Sequence, residues 1–100
     1  MDHVEIFKAL SNNTRLQILN WLKDPEQHFV EETDVDMRLT GVCVGLIQKK
    51  TGLSQSTVSE YLSILQRTGL VQSTRIGQWT YYRRNEEVYT MFLKSLETDI

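Results

Sequence analysis

Residues 52–71, GLSQSTVSEYLSILQRTGLV, carry an unusual density of short polar side chains. Ser54, Gln55 and Thr57 stand where the spacing predicts a helix start. Ser56, Ser59, Glu60 and Ser63 fall opposite Val58, Leu62 and Leu65 at helical spacing. Side chains of these types suit the edges of base pairs: Gln can bond adenine through two contacts, and Ser or Thr hydroxyls serve many edges. A helix that enters a major groove about 12 Å wide needs short polar groups on its entering face. Free N–H groups and the positive dipole end at its start also favour phosphate. A Ser-rich solvated helix in a protein-binding domain would carry the same residues, so this stretch does not decide alone.

The basic side chains add a second signal. Residues 41–84 hold Lys49, Lys50, Arg67, Arg75, Arg83 and Arg84 against one acid, Glu60, a net of +5. Residues 1–40 carry −4 and residues 85–100 carry −3, within a whole-chain charge of −2. A basic middle between acidic flanks suggests one face that meets a polyanion. Lys49, Lys50 and Arg67 are candidates for phosphate contact. Arg75, Gln78, Arg83 and Arg84 near Gly77 are candidates for backbone phosphate or a minor groove.

Other chemistry is sparse. Cys43 is the lone cysteine, read as a small buried hydrophobe or as a redox thiol able to form sulfenic acid or an intersubunit disulfide. His3 and His28 are isolated and expected to be solvated. A set of Cys43, His3 or His28 with Asp34 and Asp36 is the remaining metal candidate, against which the run Glu31-Glu32-Thr33-Asp34-Val35-Asp36 is more often a solvated loop. There is no Gly-rich phosphate loop, His-Glu metal motif or nucleophile motif, so neither catalysis nor a cofactor is expected.

The elements that must position these residues follow from the pattern. Asp2 and Glu5 are spaced as a capping box for a first helix with Val4, Ile6, Phe7 and Leu10. Ser11, Asn12 and Asn13 break it and cap a second helix, with Leu16, Ile18, Leu19, Trp21 and Leu22, ended by Asp24-Pro25. Residues 26–40 form a loop, with a short strand proposed around Phe29–Val30. Thr40 is placed as the cap of a third helix that buries Val42, Cys43, Leu46 and Ile47 and stops at Gly52. Ser54 caps the fourth. The period then changes from 3.6 to 2 about Gly77, which predicts a hairpin in which Trp79, Tyr81 and Tyr82 pack. Asn85 caps a last helix with Val88, Tyr89, Phe92, Leu93 and Leu96, where Tyr89, Met91 and Phe92 suit a helix interface.

This order makes a single winged helix-turn-helix domain over 1–100: mainly α, five helices and a β-hairpin wing. The helix-turn-helix spans about 41–68, the wing about 70–84 and the C-terminal helix about 85–98. One hundred residues fit one domain, and a chain this small often gains stability by dimerising. No apolar run approaches the roughly 20 residues of a membrane span. The first residues show no secretory pattern, and with the single cysteine this favours the cytoplasm.

The chain resembles the ArsR/SmtB family of winged-helix bacterial repressors. FKALSNNTRLQILNWL is similar to the family's first two helices, GVCVGLIQKKTGLSQSTVSEYLSILQRTGLV to its helix-turn-helix, and RIGQWTYYRR to its wing. The resemblance implies a homodimer through the first and last helices that binds a two-fold operator in double-stranded promoter DNA. Gln55, Ser56, Thr57 and Ser59 would then read bases, with Arg75 and Gln78 in support. Many members release DNA on binding metal, at two cysteines one residue apart followed by Asp, or at Asp and His on the last helix. Here only Cys43 remains of the first set, with Gly45 and Leu46 in the other places, and residues 85–100 hold no His. Metal sensing at either usual site is not expected, and no inducer is indicated. Two rivals stay open: a repressor switched through Cys43, and a winged-helix interaction module that never touches DNA.

Overall fold

The computed structural model describes residues 2–30 and 34–100. The elements run α1 (His3–Leu10), α2 (Asn13–Lys23), α3 (Pro25–His28), β1 (Val42–Cys43), α4 (Val44–Thr51), α5 (Gln55–Arg67), β2 (Val71–Ile76), β3 (Trp79–Arg84) and α6 (Glu86–Asp99). Side-chain caps set four of the helix starts. Asp2 accepts from the Glu5 N–H, Asn12 from Arg15, Ser54 from Thr57 and Asn85 from Val88. Each satisfies a first-turn donor that has no partner within its own helix.

The strands form one antiparallel sheet in the order β1-β3-β2. β2 and β3 pair from Val71↔Arg84 to Ile76↔Trp79 about the Gly77-Gln78 turn. The core lies between this sheet and the helices: Ile18, Leu19 and Leu22 from α2, Ile47 from α4, Val58, Leu62 and Leu65 from α5, then Val42, Leu70, Val71 and Phe92. Burial of each Leu or Ile there contributes about 1.5–3 kcal/mol. The three apolar residues on α5 are the ones its 3.6-residue period puts on one side, so the Ser-rich side is left outward.

Within the fold the structure corrects four expectations from the sequence, and the side chains of Cys43 and His3 add two more below. The third helix does not begin at Thr40. Gly41 takes φ +105°, which no helix contains, and a Cβ there would lie 2.5 Å from the Tyr82 carbonyl. Val42 and Cys43 instead extend as β1, pairing with Tyr82 and Tyr81, and the helix starts at Val44. The helix count is six rather than five, because Pro25 at the first position of α3, with φ already set, nucleates one extra turn. Phe29–Val30 is no strand: Phe29 is buried edge-on against Trp21 at 6.1 Å, and Val30 is exposed. Finally, Trp79 lies at the hairpin tip beyond reach of the core and is exposed.

Of the acidic run, Glu31, Glu32 and Thr33 lie outside the described residues. Asp34 and Asp36 are exposed, and Asp36 Oδ1 accepts from the Arg38 N–H at 2.9 Å. Among the described residues, no helix is long and apolar enough to cross a membrane.

Candidate nucleic-acid interface

Local chemistry fixes the turn ahead of α5. Gly52 closes α4 in the left-handed region at φ +72°, its N–H bonded to the Gln48 carbonyl. Thr51 Oγ1 donates to that carbonyl at 2.9 Å and accepts from the Leu53 N–H at 3.2 Å. Two helices are thus joined by three residues, Gly52, Leu53 and Ser54. Ser54 Oγ accepts from the Thr57 N–H at 3.2 Å and donates to Thr57 Oγ1 at 2.9 Å, with Ser56 Oγ 3.2 Å away.

The fold brings Ser54, Gln55, Ser56, Ser59, Glu60 and Ser63 to solvent together, with Thr57 half-buried at their edge. Beneath them Val58, Leu62 and Leu65 are fully buried. The first turn of α5 holds no acid, so its positive dipole end is not neutralised within the helix. One hydrogen bond, Gln66 Nε2 to Ser73 Oγ at 2.9 Å, ties β2 to α5. This bond links the wing to the helix that carries the polar side chains.

The basic residues divide by what they already touch. Arg75 gives Nε to the Gly77 carbonyl at 3.1 Å and otherwise lies in solvent at the wing tip beside exposed Gln78. Arg84 does not belong with them. It forms a two-pronged pair with Glu86 at 2.7 and 2.8 Å and lies 3.8 Å over the Tyr89 ring, with 8% of its side chain exposed. Lys50 is exposed, but its ammonium already sits 5.1 Å over the Trp21 ring and 5.7 Å over the Phe29 ring. Arg67 ends α5, about 20 Å from Ser54 at 1.5 Å per residue. It borders a groove of about 780 Å³ with mixed walls, apolar at Ile6, Ile64 and Val88 and charged at Glu5, Lys8 and Arg15.

Cys43 is half-buried in β1, just before α4, and not on the buried side of a helix. Among the described residues, no group of three or more His, Cys, Asp or Glu side chains gathers to hold a metal. His3 is not solvated as its isolation suggested. It packs near the Phe7 and Phe92 rings at 6.3 and 6.2 Å and bonds Ser95 Oγ at 2.8 Å, because α1 and α6 lie side by side.

Sequence reasoning missed Arg15. It lies in the first turn of α2, where the dipole opposes a cation. That misplacement was the available signal: such a residue needs carbonyl acceptors elsewhere, and Arg15 finds them at the end of α1.

Comparison with known proteins agrees with this geometry. Residues 42–73, from β1 into β2, match the family described as bacterial regulatory protein, arsR family. The chain is 50% identical over 100 residues, all of both chains, to the uncharacterized HTH-type transcriptional regulator YbzH of Bacillus subtilis (strain 168). It is 31% identical over 83 residues to the putative arsenical resistance operon repressor ArsR2 of Halobacterium salinarum, covering 83% of this chain and 59% of that one. A solution structure from Mycobacterium bovis, described as the homodimeric winged helix-turn-helix DNA-binding domain of a possible ArsR-family transcriptional regulator, superposes with a TM-score of 0.65. It has 32% identity over 96% of this chain and 77% of that one. The chain belongs to the arsR family of bacterial regulatory proteins and is a winged helix-turn-helix transcriptional regulator.

Proposed function

We propose that this protein is a cytoplasmic homodimeric repressor that occupies a two-fold operator in promoter DNA. The observation that carries the reading is the outward stripe of α5: hydroxyls, one amide and a single carboxylate at Glu60, an acid-free first turn, and a fully buried opposite side. In a helix-turn-helix the second helix lies in the major groove with its N-terminal residues against base edges. Gln55, Ser56, Thr57 and Ser59 read bases, Ser54 and the free first-turn N–H groups hold phosphate, and Glu60 and Ser63 continue the stripe. Arg75 and Gln78 contact the duplex from the wing. Lys50 and Arg67 contribute at longer range as part of the basic middle.

The dimer face is α1 with α6, so that residues 86–99 serve as the dimerisation helix. Val4, Phe7, Met91 and Leu93 are large apolar residues left exposed on these two helices. The solved relative described as homodimeric supports a dimer as such, and the exposed apolar side chains are what point to these two helices. A two-fold dimer puts its reading helices in successive major grooves about 34 Å apart, and repression follows from occupancy of the promoter.

Selection of genomic fragments by the purified protein tests the reading. The expected result is a fragment with two inverted half-sites, bound at nanomolar concentration, with affinity that falls steeply as salt rises. No preference over random duplex, with a flat salt response, would make the chain an interaction module instead.

A further inference from the structure

Arg15 joins three helices. Asn12 Oδ1 caps its N–H at 2.9 Å, which fixes the backbone at the start of α2. The side chain then leaves its own helix. Nε donates to the Ala9 carbonyl at 2.6 Å and Nη2 to the Lys8 carbonyl at 3.0 Å, so the cation lies against the negative end of α1. Its Cζ is also 5.2 Å from the centre of the Tyr61 ring on α5, within cation–π range. Asn12 Nδ2 reaches the Tyr61 hydroxyl at 3.5 Å. Tyr61 lies between exposed Glu60 and buried Leu62, at the border of the reading stripe.

We infer that Arg15, acting on Tyr61, is a positioning residue that sets the angle of α5 against α1 and so sets how well the dimer tells its operator from random duplex. The inference rests on the proposed roles of α5 in reading and of α1 in dimerisation. In a two-fold dimer the separation of the reading helices depends on how each α5 is carried on its α1. For a helix about 20 Å long, a tilt of about 5° moves the far end by nearly 2 Å. Base-edge hydrogen bonds do not survive such a shift. Phosphate contacts carry no sequence information, and those from the long side chains of Lys50, Arg67 and Arg75 can follow the shift, so binding to random duplex largely survives it. Loosening the Arg15–Tyr61 contact must therefore lower specific affinity while sparing non-specific affinity.

The test compares two probes: the duplex that the parent protein enriches from a random pool, and a shuffled duplex of the same length. The ratio of the two affinities is the readout, because partial unfolding lowers both equally and leaves their ratio alone. Arg15→Lys keeps the charge but cannot bond two carbonyls while lying flat on the ring, and Tyr61→Leu removes the ring. Each is expected to lower the ratio about tenfold, and Tyr61→Phe, which keeps the ring, to hold it within about twofold. If Arg15→Lys does not fold, Tyr61→Leu carries the test. A parent that discriminates beside Arg15→Lys and Tyr61→Leu variants that discriminate equally well overturns the inference alone. A parent with no preference overturns the reading of α5 and this inference together. A Tyr61→Phe ratio as low as that of Tyr61→Leu overturns the stacking account.

Discussion

At the scale of single residues, charge counted along the chain and charge available to a ligand are different quantities. Arg75 and Arg84 contribute equally to the +5 of residues 41–84, yet the structure separates them. Arg84 is compensated by Glu86 and covered by Tyr89. Arg75 spends one N–H on the Gly77 carbonyl and keeps the rest of its guanidinium in solvent at the wing tip. Arg75→Ala is therefore expected to lower the slope of log affinity against log salt by about one, the share of one phosphate contact. Arg84→Ala is expected to leave that slope unchanged and to cost about 1–2 kcal/mol of stability, from the lost stack and the two-pronged pair. Duplex titrations at a series of salt concentrations, with a thermal melt of each variant, check both. Equal slope changes in the two variants would mean that Arg84 leaves Glu86 for DNA.

At the scale of elements, β1 shows how a two-residue strand holds a helix-turn-helix to its wing. Gly41 permits it, since its φ of +105° and its approach to Tyr82 leave no room for a Cβ. Gly41→Ala is expected to cost on the order of 3 kcal/mol, roughly 15 °C in Tm for a domain this size, read by calorimetry. Tyr82, which pairs with Val42, adds a pH dependence. Burial disfavours its phenolate and pushes its pKa above the ordinary tyrosine value. Below about pH 10 the ring is neutral in both folded and unfolded chains, so stability is indifferent to this group. Above it the unfolded chain loses the proton first, and stability falls as pH rises towards the raised value. Tyr82→Phe is expected to flatten that alkaline decline in urea melts, relative to the parent. The helix starts at Asp2, Ser54 and Asn85, and that of α2 within Ser11-Asn12-Asn13, were legible in the sequence because a cap is a local device that needs only residues three apart. The outward polar stripe of α5 was legible for the same reason, since one helical period sorts Ser59 and Ser63 from Val58 and Leu62. β1 was not, because Val42 and Cys43 are a strand only through partners some forty residues away. Nor was the neutralised state of Arg84, which depends on how the start of α6 meets the end of β3.

At the scale of the whole molecule, one chain has a closed core and still leaves apolar surface on α1 and α6. Its Cα radius of gyration is 13.5 Å, close to the roughly 13 Å of a compact 100-residue domain. The monomer thus packs its own interior, and Val4, Phe7, Met91 and Leu93 remain exposed outside it. A two-fold pairing would bury each of them twice, so one substitution there acts twice on association and hardly at all on the monomer fold. Leu93→Glu places a carboxylate on each side of the proposed α6 face. It is expected to weaken dimerisation by about 3 kcal/mol, roughly a hundredfold, while moving the monomer Tm by only a few degrees. Sedimentation equilibrium reads the first quantity and calorimetry the second. Binding to a full two-fold site should weaken at protein concentrations below the new dimer Kd and recover above it, because DNA favours the paired state by mass action. Binding to a single half-site should stay as it was, since α5 and the wing are untouched. Unchanged full-site affinity at nanomolar protein would move the dimer face off α6 and leave the exposed side chains of that helix for another purpose.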